Sequence, residues 1–249
     1  MNTFHSPKFI NQKTAFYILL TYIFVFQLSG IIFQIPVVRE FALSIIDDAP
    51  AHQQGAILAA WWTFIAGILT FIIIGIALMK NKDFFKVYKG EKATTLQAIG
   101  WGFIGFFLVF FGQSLAAYIE SVIGIPTVSE NTATLVEIAE AAPIMIISIA
   151  IFGPILEEII FRRVIFGSLV QVYGFWISAI VSGIIFAAVH LDFSHILLYT
   201  VCGLVFAYIY HQTKRLLASI IAHILLNSFV VTVNFYYEDI QKFLELITK

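Results

Sequence analysis

Three short patterns carry the chemistry that this chain can offer: Glu157-Glu158 followed by Arg162, Phe186 followed by His190, and His223 followed by Asn227. All three sit on apolar stretches. Residues 144–152 precede the paired carboxylates without a charge, and residues 164–172 follow without one. An ionised group at bilayer depth costs roughly 2.5–3.5 kcal/mol on insertion scales, so such groups face a protein interior or a water cavity. On a helix Glu158 and Arg162 are i,i+4, with Glu in the favourable N-terminal position. Glu157 lies about 100° round the helix from Glu158 and has no such local partner. One structural carboxylate beside one chemical carboxylate is the expectation.

The set suits hydrolysis. A carboxylate in a poorly solvated pocket is a stronger base toward water near neutral pH, and an imidazole such as His190 can share or orient that water's proton. His223 and Asn227, i,i+4 and therefore on one helix face, offer donors for the oxyanion of a tetrahedral intermediate. Each element also has a bland reading. Glu158 with Arg162 is a structural ion pair even in an enzyme, His190 alone reads as an interfacial group, and His223 with Asn227 reads as interhelical glue worth about 1 kcal/mol or less. Their joint occurrence, in a chain that otherwise avoids intramembrane polarity, tips the balance. Gln27, Gln113, Asn234, His211 and His52 have no such company and read as packing or membrane-edge groups. Ser182 and Ser228 have no acid–base neighbour at a spacing that would make a nucleophile.

Helices must position these groups, and composition says that the helices are in lipid. The 249 residues are 60% hydrophobic and 12% charged, with mean hydropathy +0.94. Soluble domains average about 45–50% apolar and 25% charged. The predicted fold is an all-α, polytopic transmembrane helix bundle of about seven spans, with eight as the outer count. The spans are read at 14–35, 56–79, 96–119, 143–172, 175–190, 195–211 and 216–235. Residues 1–135 form N-terminal helices and loops, 136–236 the catalytic core, and 237–249 a polar tail. The long fourth span carries Pro154, which removes a backbone donor three residues before Glu157 and predicts a kink or a freed carbonyl. Thr134 and Glu137 have the spacing of a capping box for a short surface helix.

Lys/Arg bias places the N terminus in the cytoplasm, with Lys8, Lys13, the five lysines of the 80–92 loop, Lys214 and Arg215 on that side. Arg39, Lys242 and Lys249 fall opposite, and the loop near Asp47 and the 120–142 loop face outward. A net charge of −1 leaves no basic face for nucleic acid. Cys202 is the only cysteine, which excludes an internal disulfide and a cysteine metal cluster.

The order E-E-x-x-x-R, F-x-x-x-H, H-x-x-x-N resembles the CPBP (Abi) family. These are the type II CAAX prenyl endopeptidases and their bacterial relatives in bacteriocin processing and immunity. Gly203-Leu204-Val205-Phe206 and Thr213-Lys214-Arg215 also fit its general pattern. The likeness covers about residues 140–230, and the first 120 residues add nothing to it. It implies an intramembrane endopeptidase of the bacterial cell membrane, acting on a membrane-bound peptide or protein amid membrane lipid. Glu157 would activate water with His190, His223 and Asn227 would hold the oxyanion, and Glu158, Arg162 and Phe186 would shape the site. Metal-free hydrolysis is the favoured reading, since H-E-x-x-H is absent; a zinc held by Glu157, His190 and His223 is the alternative. A non-proteolytic scaffold or immunity protein of the same family, and a proton-relay transporter, are the competing functions.

Overall fold

The computed structural model describes residues 12–46, 48–126 and 129–247; Lys8, Asp47 and Lys249 lie outside the described residues. The elements are helical, with no β-strand among the described residues. Helix α1 (Gln12–Thr21) runs on through a π-turn, π1 (Tyr22–Gln27), and a 3-10 turn (Ser29–Gln34) into α2 (Pro36–Ser44). Two long helices follow, α3 (Ala51–Met79) and α4 (Thr95–Val122), and then the short α5 (Glu130–Ala141). The next stretch alternates α6 (Ile144–Ile147), π2 (Ser148–Phe152), α7 (Gly153–Glu157) and π3 (Glu158–Phe166) before α8 (Gly167–Ala188). A 3-10 turn (Phe193–His195), α9 (Ile196–Thr213), α10 (Leu216–Phe235) and α11 (Tyr237–Ile247) complete the chain.

Among the described residues six stretches are long and apolar enough to cross a membrane, and one of them, Ile144–Ala188, has 45 residues. Straight, that helix would be about 67 Å long, twice what a bilayer core needs. It is not straight. Gly174 adopts φ 73°, a conformation glycine takes at little cost, and the chain turns back there. Ser182 Oγ donates to the Phe161 carbonyl at 2.8 Å, and the rings of Phe166 and Phe175 meet edge-on at 5.9 Å. The long stretch is therefore a hairpin, so six candidates make seven passes, as hydropathy predicts.

Contacts at the two ends agree with alternating passes. At one end Ala93 N–H donates to the Thr213 carbonyl (3.1 Å), Lys214 Nζ to the Lys89 carbonyl (3.1 Å), and Tyr88 Oη meets His211 Nδ1 at 3.0 Å. Burial raises the Tyr88 hydroxyl well above its usual pKa. At the other end Ser129 Oγ bonds Asp192 (2.8 Å), and Glu120 accepts from His195 Nδ1 (2.8 Å) and from Leu198 N–H (3.1 Å).

Two local readings are corrected. The capping box lies at Thr94 and Gln97, which exchange side-chain and backbone bonds of 3.2 and 2.8 Å. The short surface helix starts at Glu130 with Ser129 as its cap, so Thr134 and Glu137 lie inside it. The polar tail is helical over most of its length. In α11 Ile240, Phe243, Leu244 and Ile247 line one face while Asp239, Lys242 and Glu245 line the other, the pattern of an interfacial helix.

The bundle core is apolar and close. Gly203 and Gly183 meet backbone to backbone, so a Cβ on Gly203 would come 2.7 Å from Gly183 Cα. Membrane helices without a hydrophobic drive between them rely on such small-residue contacts. This one lets α9 lie close enough to α8 for Phe206, one turn on from Gly203, to reach the site.

Single cysteines in a Cys202→Ser background will test the passes. With a membrane-impermeant maleimide, Lys86→Cys and Tyr173→Cys should label from one side and Glu130→Cys from the other. Labelling of position 173 from the side of position 130 would remove the hairpin.

Candidate active site

The helix before the carboxylates is broken for a reason. In π2 the Gly153 N–H reaches back five residues to the Ser148 carbonyl. The next carbonyl, that of Ile149, would take the next N–H, but Pro154 has none. Asn227 Nδ2 donates to it at 3.0 Å. The proline thus frees a carbonyl, as its position predicts, and α10 supplies the donor. Only one of the two Asn227 amide hydrogens is used in this way. π-turns cluster at functional sites, and here two of them bracket Glu157.

Glu157 and Glu158 lie on two sides of the same imidazole. His223 Nδ1 lies 3.1 Å from Glu158 Oε1, and its Nε2 lies 3.7 Å from Glu157 Oε2. A carboxylate only accepts, so the hydrogen of the shorter contact sits on Nδ1. The 3.7 Å gap is too long for a direct hydrogen bond. Glu158 Oε2 lies 3.3 Å from Arg162 Nε, an ion pair by distance, although the two are not aligned as a hydrogen bond. Glu158 and Arg162 have no exposed side-chain surface, whereas Glu157 is 16% exposed. The two carboxylates thus differ in setting: one is sealed and paired, the other opens to space.

Aromatic rings form the walls. Arg162 lies over the faces of Phe186 (5.1 Å) and Phe206 (5.5 Å), a desolvated cation–π arrangement, and reaches Ser182 Oγ at 3.4 Å. Phe206 stacks on His223 with centroids 4.4 Å apart, and Phe186 touches both His223 (5.8 Å) and His190 (4.7 Å). His190 stands at the end of α8 with Nδ1 against the Phe186 carbonyl at 2.7 Å.

Two cavities meet here. One, of about 360 Å³, is lined by Glu157, His190, Asn227, Gly153, Gln27 and α5 residues including Asn131 and Leu135. The other, of about 340 Å³, is lined by His190, His223, Asn227, Gln113 and Asn234. His190, Asn227 and Tyr199 belong to both walls. All seven residues singled out in the sequence are thus brought together, with Glu157, Glu158, Arg162 and His223 in direct contact and His190 and Asn227 across the cavity from Glu157.

Glu157 has no partner on its own helix, as expected, and His223 of α10 faces it at 3.7 Å. Several readings change. Gln27, Gln113 and Asn234, read as packing or membrane-edge groups, also line the cavities. The first 120 residues do contribute to the site: Tyr22 buttresses Phe161 edge-on at 6.2 Å, takes a bond from Gln27 (2.6 Å), and Thr63 and Ser114 add to the linings. Tyr199, which stacks on His190 at 4.1 Å, gave no spacing signal. Among the described residues no three of His, Cys, Asp and Glu are grouped closely enough to hold one ion.

Comparison with known proteins places the chain in a family. Residues 139–229 match the Rce1-like, type II CAAX prenyl endopeptidase family. YdiL of Bacillus subtilis (strain 168), provisionally named a membrane peptidase, is 37% identical over 238 residues, 94% of this chain and 93% of its own. The membrane-embedded CAAX protease MroQ of Staphylococcus aureus (strain USA300) is 38% identical over 175 residues, 68% of this chain and 70% of its own. No solved structure matches the chain. With the motif region inside the family match and near full-length similarity to a relative, the chain belongs to the Rce1-like family of type II CAAX prenyl endopeptidases and is an integral membrane peptidase.

Proposed function

We propose that the protein hydrolyses a peptide bond of a membrane-bound peptide or protein with water activated by Glu157, and that the reaction runs on side chains alone. The carrying observation is the position of Glu157 on the wall of a cavity of about 360 Å³ that also holds His190 and Asn227, with His223 fixed beside it by Glu158. Water held between Glu157 and His190 gives a proton to the Glu157 carboxylate as its oxygen attacks the scissile carbonyl carbon. The oxyanion that forms takes N–H bonds from His223 Nε2 and from the amide hydrogen of Asn227 not given to Ile149. His223 carries protons on both nitrogens at that moment, its charge balanced by Glu158 on one side and by the oxyanion itself on the other, since Glu157 then holds the water's proton. Collapse breaks the C–N bond, and Glu157 returns the proton to the departing amine. Glu158 and Arg162 do not touch substrate in this scheme; they hold His223.

The remaining proposals concern context. The end of the bundle that carries the 80–92 lysines, Lys214 and Arg215 is the cytoplasmic one, by the positive-inside rule, which puts the N terminus inside. The relatives are bacterial, and in such a membrane a peptide pheromone or a bacteriocin precursor has the right chemical class: a short chain with an apolar end held in lipid.

Purified variants assayed on a membrane-bound peptide, with thermal stability measured in the same detergent, separate the roles. Glu157→Gln should lose roughly 10²–10⁴-fold in turnover with its melting temperature unchanged. Wild-type cleavage by that variant would remove Glu157 as the base. Asn227→Ala should lower kcat by about 10²–10³ with little change in KM, so a pure KM effect would argue against an oxyanion role. Glu158→Gln leaves the Arg162 charge buried without its counter-ion, a loss of about 3–5 kcal/mol. It should reduce stability and yield together with activity, and a stable Glu158→Gln with wild-type turnover would remove Glu158 as the residue that holds His223.

A further inference from the structure

His190 has a demanding position. It stands just past α8, and the next residue, Leu191, already has a left-handed backbone at φ 55°, where the chain reverses. The helix therefore does not clamp its ring. One contact fixes a ring nitrogen, Nδ1 against the Phe186 carbonyl. Rotation about that contact is limited only by what lies against the ring faces: Phe186, tilted at 58°, and Tyr199, nearly parallel at 25° with centroids 4.1 Å apart.

Tyr199 is itself unusually well held. It lies in the first turn of α9, whose start is anchored to α4, because Glu120 accepts the Leu198 N–H and the His195 Nδ1 hydrogen. Its hydroxyl lies 2.9 Å from Ser129 Oγ and 3.3 Å from Asn131 Nδ2. Donor counting fixes the direction of this chain. Asp192 accepts only, so the single Ser129 hydrogen goes to Asp192 Oδ2 at 2.8 Å. Ser129 Oγ then accepts from Tyr199, and Tyr199 accepts from Asn131. The sequence Asn131 to Tyr199 to Ser129 to Asp192 is continuous and one-directional. It ties α5, the helix that covers the Glu157 cavity, to the loop two residues beyond His190.

We propose that Tyr199 is a positioning residue for His190: its ring, packed flat on the imidazole, sets the imidazole plane, and the hydroxyl chain from α5 to Asp192 adds a secondary restraint on that ring. The inference rests on the proposed role of His190 in holding the attacking water. Tyr199 touches neither the base nor the reacting bond in that scheme, so its effect passes through His190 alone. Misplacing a reacting group by about 1 Å costs on the order of 10²-fold in rate, which bounds what loss of the stack can do.

The test uses the full chain in detergent with Tyr199→Leu, Tyr199→Phe and His190→Gln. Tyr199→Leu removes the ring and should lower kcat by roughly 10- to 100-fold with KM little changed. Tyr199→Phe keeps the ring and loses only the hydroxyl chain, so it should restore cleavage to within about fivefold of wild type. A residue with a merely structural role would lower the amount of active protein without this rescue pattern. The second readout does not depend on activity. The His190 ring proton signals, assigned by their loss in His190→Gln, should move strongly in Tyr199→Leu and little in Tyr199→Phe, because an overlying aromatic ring shifts them. Wild-type kcat and unmoved His190 signals in Tyr199→Leu would overturn the inference and leave the proposed reaction standing. Wild-type cleavage by His190→Gln would instead overturn the role of His190 itself, and the inference with it.

Discussion

The buried run from Arg162 through Glu158 to His223 is the constraint on which the site depends. A guanidinium and a carboxylate, both without exposed side-chain surface, sit at the centre of a bundle built for lipid. Each is costly alone at that depth. Together with the faces of Phe186 and Phe206 they form a neutral, walled pair. Glu158 then has one oxygen left for a second partner, and His223 Nδ1 takes it at 3.1 Å. Once that nitrogen is fixed, the other must face Glu157. The pair therefore acts as an orienting device: charge placed where it cannot be solvated leaves few alternatives for the groups around it.

A second constraint comes from the backbone. Pro154 and the two π-turns around Glu157 break the regular ladder in a place where lipid offers no substitute partner. The bundle resolves the shortfall with Asn227, which closes on the Ile149 carbonyl. Asn227 is thereby pinned at the cavity wall with one amide hydrogen to spare. The irregular backbone and the polar side chain explain each other, and both are tolerated because they lie inside the protein at the edge of a cavity.

Much of this was legible in the sequence, for physical reasons that can be named. The carboxylates, imidazoles and amide stand out because apolar flanks make them expensive, and expensive groups in lipid need a reason. The count of passes followed from hydropathy even where Gly174 hides a turn inside an unbroken apolar run. What could not be read was anything that depends on register between distant helices. Gln27 and Gln113 looked isolated because their company comes from α5, α9 and α10, far away in the chain. Tyr199 is one tyrosine among 10 and shows no periodic signal, yet it stacks on His190. That His223 belongs with Glu157 was legible from its polarity in an apolar helix, but that Glu158 also holds its Nδ1 was not, because an i,i+4 argument sees Arg162 and not a ring 65 residues on. Ser129, rather than Thr134, caps α5 because its side chain is also held by Asp192 and Tyr199, tertiary contacts that outweigh a local motif.

Glu158 dictates how His223 presents itself to Glu157. Nitrogen-15 NMR of the histidine rings in the detergent-solubilised protein tests it directly, with the His223 signals assigned by their loss in His223→Gln. The structure predicts a proton on Nδ1, hydrogen-bonded to a carboxylate, and its loss or weakening when Glu158 is replaced by Gln. A His223 protonated on Nε2 alone, with Nδ1 bare and indifferent to the residue at position 158, would contradict it.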